Sequence, residues 1–340
     1  ENSSQAVELL LQRLSDLSQS DQRGLVERFD SSIGAWSHLA PYGGITQRTP
    51  AQVMASEFPL SVYTEAARVR SRTLSLMTHS FDPKIAEISP FHGAYFAVVD
   101  SVARLVASGA RRERVRLSLQ EYFPRPGEQP ERWGLPAAAL LGALEGQSAL
   151  ETPAIGGKDS MSGSFEELDV PPTLISFAVA TIRENELVTP ELKAESSSLY
   201  LLSPEIRRDG TYDPEELRRS YDLLGTLRNR GVLLAAGSTA RGGLFPSLAV
   251  AAFGNHLSLS LPLPRDGWWE PYAFSPLPGA LYLQLPQRVT PPETPLLSLL
   301  GRAAPATRSE ASIRLGEARL SLEEAYHAWS STLAEVFPVD

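Results

Sequence analysis

Ala154-Ile155-Gly156-Gly157-Lys158-Asp159-Ser160-Met161-Ser162-Gly163-Ser164-Phe165 gathers the anion-handling residues of the 340-residue chain into one run. Paired glycines let a backbone approach a ligand with no Cβ in the way. Lys158 adds a point charge, and Ser160 and Ser162 add hydroxyl donors. Asp159 adds an acceptor or a magnesium ligand. A Walker A loop is excluded, because it needs glycine at 152 and Ser or Thr at 159, where Thr152 and Asp159 stand. The bland alternative is a tight Gly-rich turn in which Lys158 and Asp159 pair with each other.

Around the run, periodicity predicts a helix near Ala137 to Leu150 and a strand near Thr173 to Ile182, which makes the run a loop at a sheet edge. Upstream, Val7, Leu10, Leu11, Leu14 and Leu17 mark an amphipathic opening helix, and a second helix is expected near Tyr95 to Ser108. Downstream, strands are expected at Leu199 to Leu202, Val232 to Ala236, Leu257 to Leu261, Leu281 to Leu285 and near Ile313. Helices are expected at Pro214 to Arg230, from Gly242-Gly243 to Phe253, and near Leu296 to Arg302. Ser321 with Glu324 forms a candidate capping box for a final helix. Pro262 to Pro278, with Trp268 and Trp269, is expected as a long surface loop. Three segments follow: an amino-terminal helix over 1–23, a first domain over 24–190 and a second over 191–340.

A hydrophobic content of 42% and a length of 340 residues fit two globular domains. The net charge of −9 argues against nucleic acid and acidic membranes, which need a clustered basic face. Arg111, Arg112, Arg114 and Arg116 form the densest basic cluster and are expected on a solvated loop entering a strand. The absence of cysteine removes disulfides, thiolate nucleophiles and Cys-based zinc sites together. His38, His79, His92, His256 and His327 show no metal-ligand spacing. His92, just before a helix, is expected to pack or cap, with phosphate contact the lesser reading. No stretch approaches the ~20 apolar residues of a membrane span, and no secretion pattern opens the chain, so a cytoplasmic protein is expected.

The words Glu121-Tyr122-Phe123, Pro130-Glu131-Arg132-Trp133-Gly134, Gly156-Gly157-Lys158-Asp159-Ser160-Met161-Ser162-Gly163 and Asp169-Val170-Pro171-Pro172-Thr173-Leu174 stand in an order that resembles phosphoribosylformylglycinamidine synthase, the amidotransferase of purine biosynthesis. Tyr42-Gly43-Gly44, Phe81-Asp82-Pro83, Ser89-Pro90-Phe91-His92-Gly93-Ala94, Gly242-Gly243-Leu244 and Ala251-Ala252-Phe253-Gly254-Asn255 extend the resemblance over nearly the whole chain from about Gly24. It implies the second half of the large enzyme's synthetase region: an α/β (α+β) fold whose two domains resemble the amino- and carboxyl-terminal domains of aminoimidazole ribonucleotide synthetase. The implied whole enzyme is a carbon–nitrogen ligase using ATP, magnesium and glutamine. Its first synthetase half, with the catalytic residues, and its glutaminase domain lie outside this chain. The fragment alone is therefore expected to be inactive and to pair with the missing half or homodimerise through its first domain.

Carried over residue by residue, the resemblance places Gly156, Gly157, Lys158, Asp159 and Ser160 toward nucleotide or substrate phosphate. It also implies an auxiliary magnesium–nucleotide site, whose positions here hold Gln52, Asp100, Arg104 and Ser238. Only one carboxylate survives. Two unit charges 4 Å apart interact by about 4 kcal/mol at an effective dielectric of 20, so Arg104 would oppose a dication by roughly twice that. No metal is expected there; an Asp100–Arg104 pair, i to i+4 on the predicted helix, is expected to fill the space. Competing readings are a non-catalytic scaffold that docks a catalytic half and a glutaminase, or another member of the same ATP-binding superfamily.

Overall fold

The computed structural model describes residues 2–29, 36–60, 71–239, 242–263 and 273–339. Its organising element is a buried helix, α2 (Pro90–Ala107), set between two sheets. Ser89 caps α2 by accepting the backbone N–H of His92, and Pro90 takes the first turn, where its missing N–H costs nothing. Buried residues run all round the cylinder from Gly93 to Ala107, the pattern of a helix enclosed on every side.

Sheet I comprises β1 (Met54–Glu57), β2 (Thr73–Ser80), β3 (Arg116–Tyr122), β4 (Ala154–Lys158) and β5 (Thr173–Arg183), in the order β1-β2-β5-β3-β4. Only β3 and β4 run parallel. Alternation along β5 buries Leu174, Ser176, Ala178, Ala180 and Ile182, while Phe177 and Thr181 on the opposite face are exposed. The buried face meets α2, and α3 (Pro130–Leu150) lies along α2 in turn. That second contact depends on Gly142: a Cβ there would stand 1.9 Å from the Phe91 carbonyl oxygen.

Sheet II comprises β6 (Ser197–Leu202), β7 (Ala235–Ser238), β8 (Leu257–Leu261), β9 (Leu281–Pro286), β10 (Leu297–Pro305), β11 (Ser312–Leu315) and β12 (Ala318–Ser321), ordered β7-β9-β6-β10-β8-β11-β12. It is antiparallel except for the β8/β11 pair. All six residues of β9 are buried. Around the sheet stand α4 (Pro214–Asn229), α5 (Leu244–Phe253) and α6 (Leu322–Ser331), with α1 (Asn2–Leu14) against α6 and the β11–β12 hairpin. Edge strand β7 touches α2, so one helix serves both sheets.

Several expectations are corrected. Leu296 to Arg302, expected as a helix, is a turn residue followed by the first part of strand β10. A register shift opposite Leu199 and Tyr200 leaves Leu300 as an extra residue, which breaks the period-2 alternation that would have announced a strand. The strand expected at Val232 to Ala236 starts at Ala235. Leu17 lies beyond α1 and is exposed, so the apolar stripe stops at Leu14. Arg112 is buried, not solvated; its Nη1 donates to the Leu150 carbonyl at 2.5 Å. Ser321 caps α6 by accepting the Glu324 N–H at 3.2 Å. Trp268 and Trp269 lie outside the described residues.

Gly142→Ala is expected to lower stability by about 2 kcal/mol, the cost of overpacking a rigid backbone contact. Urea unfolding checks it against Gly134→Ala, whose added Cβ meets nothing within 4 Å and which should show no such loss.

Candidate functional site

Gly156, Gly157 and Lys158 belong to a strand rather than to a loop or turn, which corrects their expected setting. Strand β4 is the edge of sheet I, paired with β3 through Ser118↔Gly156, Leu119↔Gly157 and Gln120↔Lys158. Gly157 answers to the sheet itself, since a Cβ there would come 2.5 Å from the Leu119 carbonyl oxygen. Lys158 is exposed and makes no ion pair or hydrogen bond among the described residues, so the Lys158–Asp159 pairing of the alternative reading does not form. In register with Gln120, it stands at the rim of the face of sheet I opposite α2, which also carries exposed Met54, Met77 and Phe177.

Beyond β4 the chain turns back on β3: Phe123 N–H donates to the Ser160 carbonyl at 2.9 Å, and Gly163 N–H to the Phe123 carbonyl at 2.9 Å. The Ser160 and Ser162 hydroxyls lie 3.1 Å apart. Arg132 clamps Asp169 with its two terminal nitrogens at 2.7 and 3.3 Å, and Asp169 also accepts from Ser164 at 2.5 Å. These ties hold the backbone that follows Lys158 at one sheet corner, where an ammonium and two hydroxyls can meet an anion and the Asp159 carboxylate opposes it.

Glu121 joins this corner and was not among the expected site residues. It is 6% exposed, its carboxyl has no hydrogen-bond partner among the described residues, and burial, then the nearby Asp159 charge, push its pKa up. Its alternation with Leu117 and Leu119 was the available signal, because that phase places a carboxyl on the core side of β3.

The second set of expected positions converges completely. Gln52 Oε1 accepts the Ser238 N–H at 2.8 Å, and Gln52 Nε2 donates to the Ser238 carbonyl at 3.4 Å. The Ser238 hydroxyl donates to Asp100 Oδ1, and the Ser80 hydroxyl to Asp100 Oδ2 at 2.8 Å. Arg104 Nη2 sits 2.8 Å from Asp100 Oδ2, while Nη1 donates to the His79 carbonyl at 3.1 Å. The ion pair is enclosed, not exposed: Asp100 is fully buried and the Arg104 side chain 13% exposed. In such a buried pair, removal of one partner strands the other charge away from water.

A magnesium ion does not fit this donor set. Its one carboxylate is already engaged through both oxygens, and a guanidinium stands beside it. The adjoining void, lined by Ser80, Phe96, Arg104 and Pro278 among others, measures about 20 Å³, room for a water and not for a phosphoryl group. Among the described residues no group of three or more His, Asp or Glu side chains could hold a metal. His92 is a tie between segments: Nδ1 meets the Ser89 hydroxyl at 2.8 Å and Nε2 the Asp209 carbonyl at 2.8 Å. Gly243 (φ 92°) is the N-cap of α5, packed where a Cβ would come 2.7 Å from Ser275 N, consistent with a structural turn.

Comparison with known proteins finds likenesses in sequence and in fold. The chain is 25% identical over 216 residues to phosphoribosylformylglycinamidine synthase subunit PurL of Rhodopseudomonas palustris strain HaA2, covering 57% of this chain and 29% of the relative. With PurL of Acidiphilium cryptum it shares 28% over 249 residues, 68% of this chain and 33% of the relative. The chain is similar to PurL. It spans about a third of the length of these PurL relatives. Thermotoga maritima PurL complexed with FGAR superposes with a TM-score of 0.58 at 15% identity, over 84% of this chain and 40% of that one. Thiamine monophosphate kinase of Aquifex aeolicus superposes at 0.51 and 13% identity, over 74% of this chain and 90% of that one. These superpositions establish a fold shared by PurL and the kinase. No family model matches.

Two outcomes are expected. Arg104→Ala should destabilise the chain by about 3 kcal/mol, because it strands a buried carboxylate, and thermal unfolding would register this. Glu121, with its pKa raised by folding, binds more protons folded than unfolded above the ordinary value of 4.5, so its contribution to stability falls as pH rises through its folded pKa. Glu121→Gln should remove that decline: denaturant unfolding of wild type and variant should diverge in the variant's favour as pH rises from about 4.5 toward neutrality.

Proposed function

We propose that this chain is the second half of a PurL-type synthetase and supplies one wall of a phosphate pocket that a second α/β half completes. The observation that carries this reading is Lys158: an exposed ammonium with no partner among the described residues, held at the rim of the sheet face that exposes Met54, Met77 and Phe177. Such a face calls for a second surface to cover Met54, Met77 and Phe177. A sheet laid against it would bring its own loops to the Lys158 corner. There Gly156 leaves the backbone open, Lys158 supplies charge and Ser160 supplies a hydroxyl.

In the whole protein the reaction is ATP- and glutamine-dependent conversion of formylglycinamide ribonucleotide to the amidine, a ligase step of purine biosynthesis. The PurL relatives and the likeness to T. maritima PurL, solved with FGAR, with ADP and with ATP, support this assignment. ATP and magnesium would then belong to the half that carries the catalytic residues, since the Asp100 cluster does not suit a dication. The partners would be that first half and a glutaminase, with homodimerisation through sheet I as the option open to the chain alone. No helix among the described residues is long and apolar enough to cross a membrane, in keeping with a cytoplasmic site.

The scaffold reading has one observation in its favour, the closure of the Asp100 cluster on itself. Lys158→Ala in the full-length enzyme separates the two. The pocket reading expects turnover to fall by about 10²-fold or more with assembly intact by size-exclusion chromatography; loss of assembly, or unchanged turnover, supports the scaffold. The 340 residues alone should show no ammonia-dependent ATP hydrolysis coupled to amidine formation.

A further inference from the structure

On the outer side of sheet II, four strands place Arg302 (β10), Ser260 (β8), Arg314 (β11) and Arg319 (β12) in one transverse row through the pairs Ser260↔Arg302, Ser260↔Arg314 and Arg314↔Arg319. Burial alternates along each strand: Leu259, Leu261, Ile313, Leu315 and Leu320 point inward, and the three arginines are exposed. None of the three has a carboxylate partner among the described residues. Arg314 donates to the Ser260 hydroxyl at 2.7 Å and Arg319 to the Glu310 carbonyl at 3.2 Å. Beside the row, Ser258 and Ser312 complete a depression of about 350 Å³.

Like charges directly opposite on neighbouring strands repel, so the Arg314↔Arg319 pair is unfavourable as it stands. Three uncompensated guanidiniums on a chain of net charge −9 are a local reversal of sign. Arginine forks match tetrahedral and planar oxyanions, and serine hydroxyls add donors between them. Adjacent strands are ~4.8 Å apart, so Arg314 and Arg319 can share one anionic group, while Arg302, two strands from Arg314, reaches a second. A phosphoryl group offers more acceptor oxygens than a carboxylate and so meets more of these donors. The depression is the size of a small-molecule site rather than of a protein interface. Strands β8, β10 and β11 are paired on both edges, so no peptide can dock there by strand addition.

We propose that this arginine–serine face of sheet II binds a small ligand carrying two phosphoryl groups, at a site separate from the Lys158 corner of sheet I. Inorganic pyrophosphate is the probe. Titration calorimetry on the 340-residue chain should show saturable binding that weakens as salt rises, and pyrophosphate should raise the melting temperature by relieving the Arg314–Arg319 repulsion. Arg302→Gln with Arg314→Gln should weaken binding by about tenfold or more and remove the thermal shift, whereas Arg111→Gln, an exposed arginine outside both sites, should leave both in place. Arg319→Gln, at an exposed hairpin position, gives an independent reading should the double variant fold poorly. Absence of saturable binding at about 10 mM pyrophosphate, binding insensitive to all three arginines, or tighter binding of an acidic peptide than of pyrophosphate would each overturn the proposal.

Discussion

Burial of Asp100 on α2 is the constraint on which the architecture turns. A carboxylate with no exposure persists only if its oxygens are occupied, and its donors come from both sheets: Ser80 from β2, Ser238 from β7, and Arg104 from its own helix. Gln52 grips the Ser238 backbone from the sheet I side, so the polar cluster also clasps the two sheets across α2. Apolar burial around the helix supplies the bulk of the cohesion. The cluster adds direction, because its hydrogen bonds can be made in one relative placement of β2, α2 and β7.

With α2 enclosed, the two sheets are left with contrasting outer faces. Sheet I presents Met54, Met77 and Phe177, and sheet II presents Arg302, Arg314 and Arg319. An apolar face gains by covering, whereas a cationic face gains by meeting anions. Both faces follow from alternation, reset at the Leu300 bulge of β10: once one side of a strand is committed to the helices, the residues between are delivered to the other side. Lys158 stands where the edge of sheet I meets its apolar face, which ties the candidate pocket to the covering of that face.

Much of this was legible beforehand, and the misses share a cause. Helices α2 and α4 and strands β5, β6 and β9 announced themselves through their apolar periods, whereas the caps at Ser89 and Asp213 emerged with the structure. Strand β10 did not, because its bulge at Leu300 interrupts the alternation and leaves a short leucine cluster equally compatible with a helix. The Gly156–Lys158 run did not read as a strand because two glycines lack strand propensity; pairing with β3 overrides it, and Gly157 is required by the Leu119 carbonyl. Arg112 read as solvated for want of any sequence signal that the Leu150 carbonyl waits at the end of α3.

Residue chemistry and period, which are local quantities, were enough to place helices α2 and α4 and strands β5, β6 and β9, while the family resemblance, not period, implied the α/β fold and singled out Gln52, Asp100, Arg104 and Ser238 as positions holding one carboxylate. Tertiary structure alone decided that Gln52, Asp100, Arg104 and Ser238 meet in a closed cluster, that Glu121 is buried beside Asp159, and that Arg302, Arg314 and Arg319 fall in one row. Those outcomes depend on strand order and register between segments far apart in the chain. Pairing energies and the packing of α2 select that register, and no short window of sequence contains both partners.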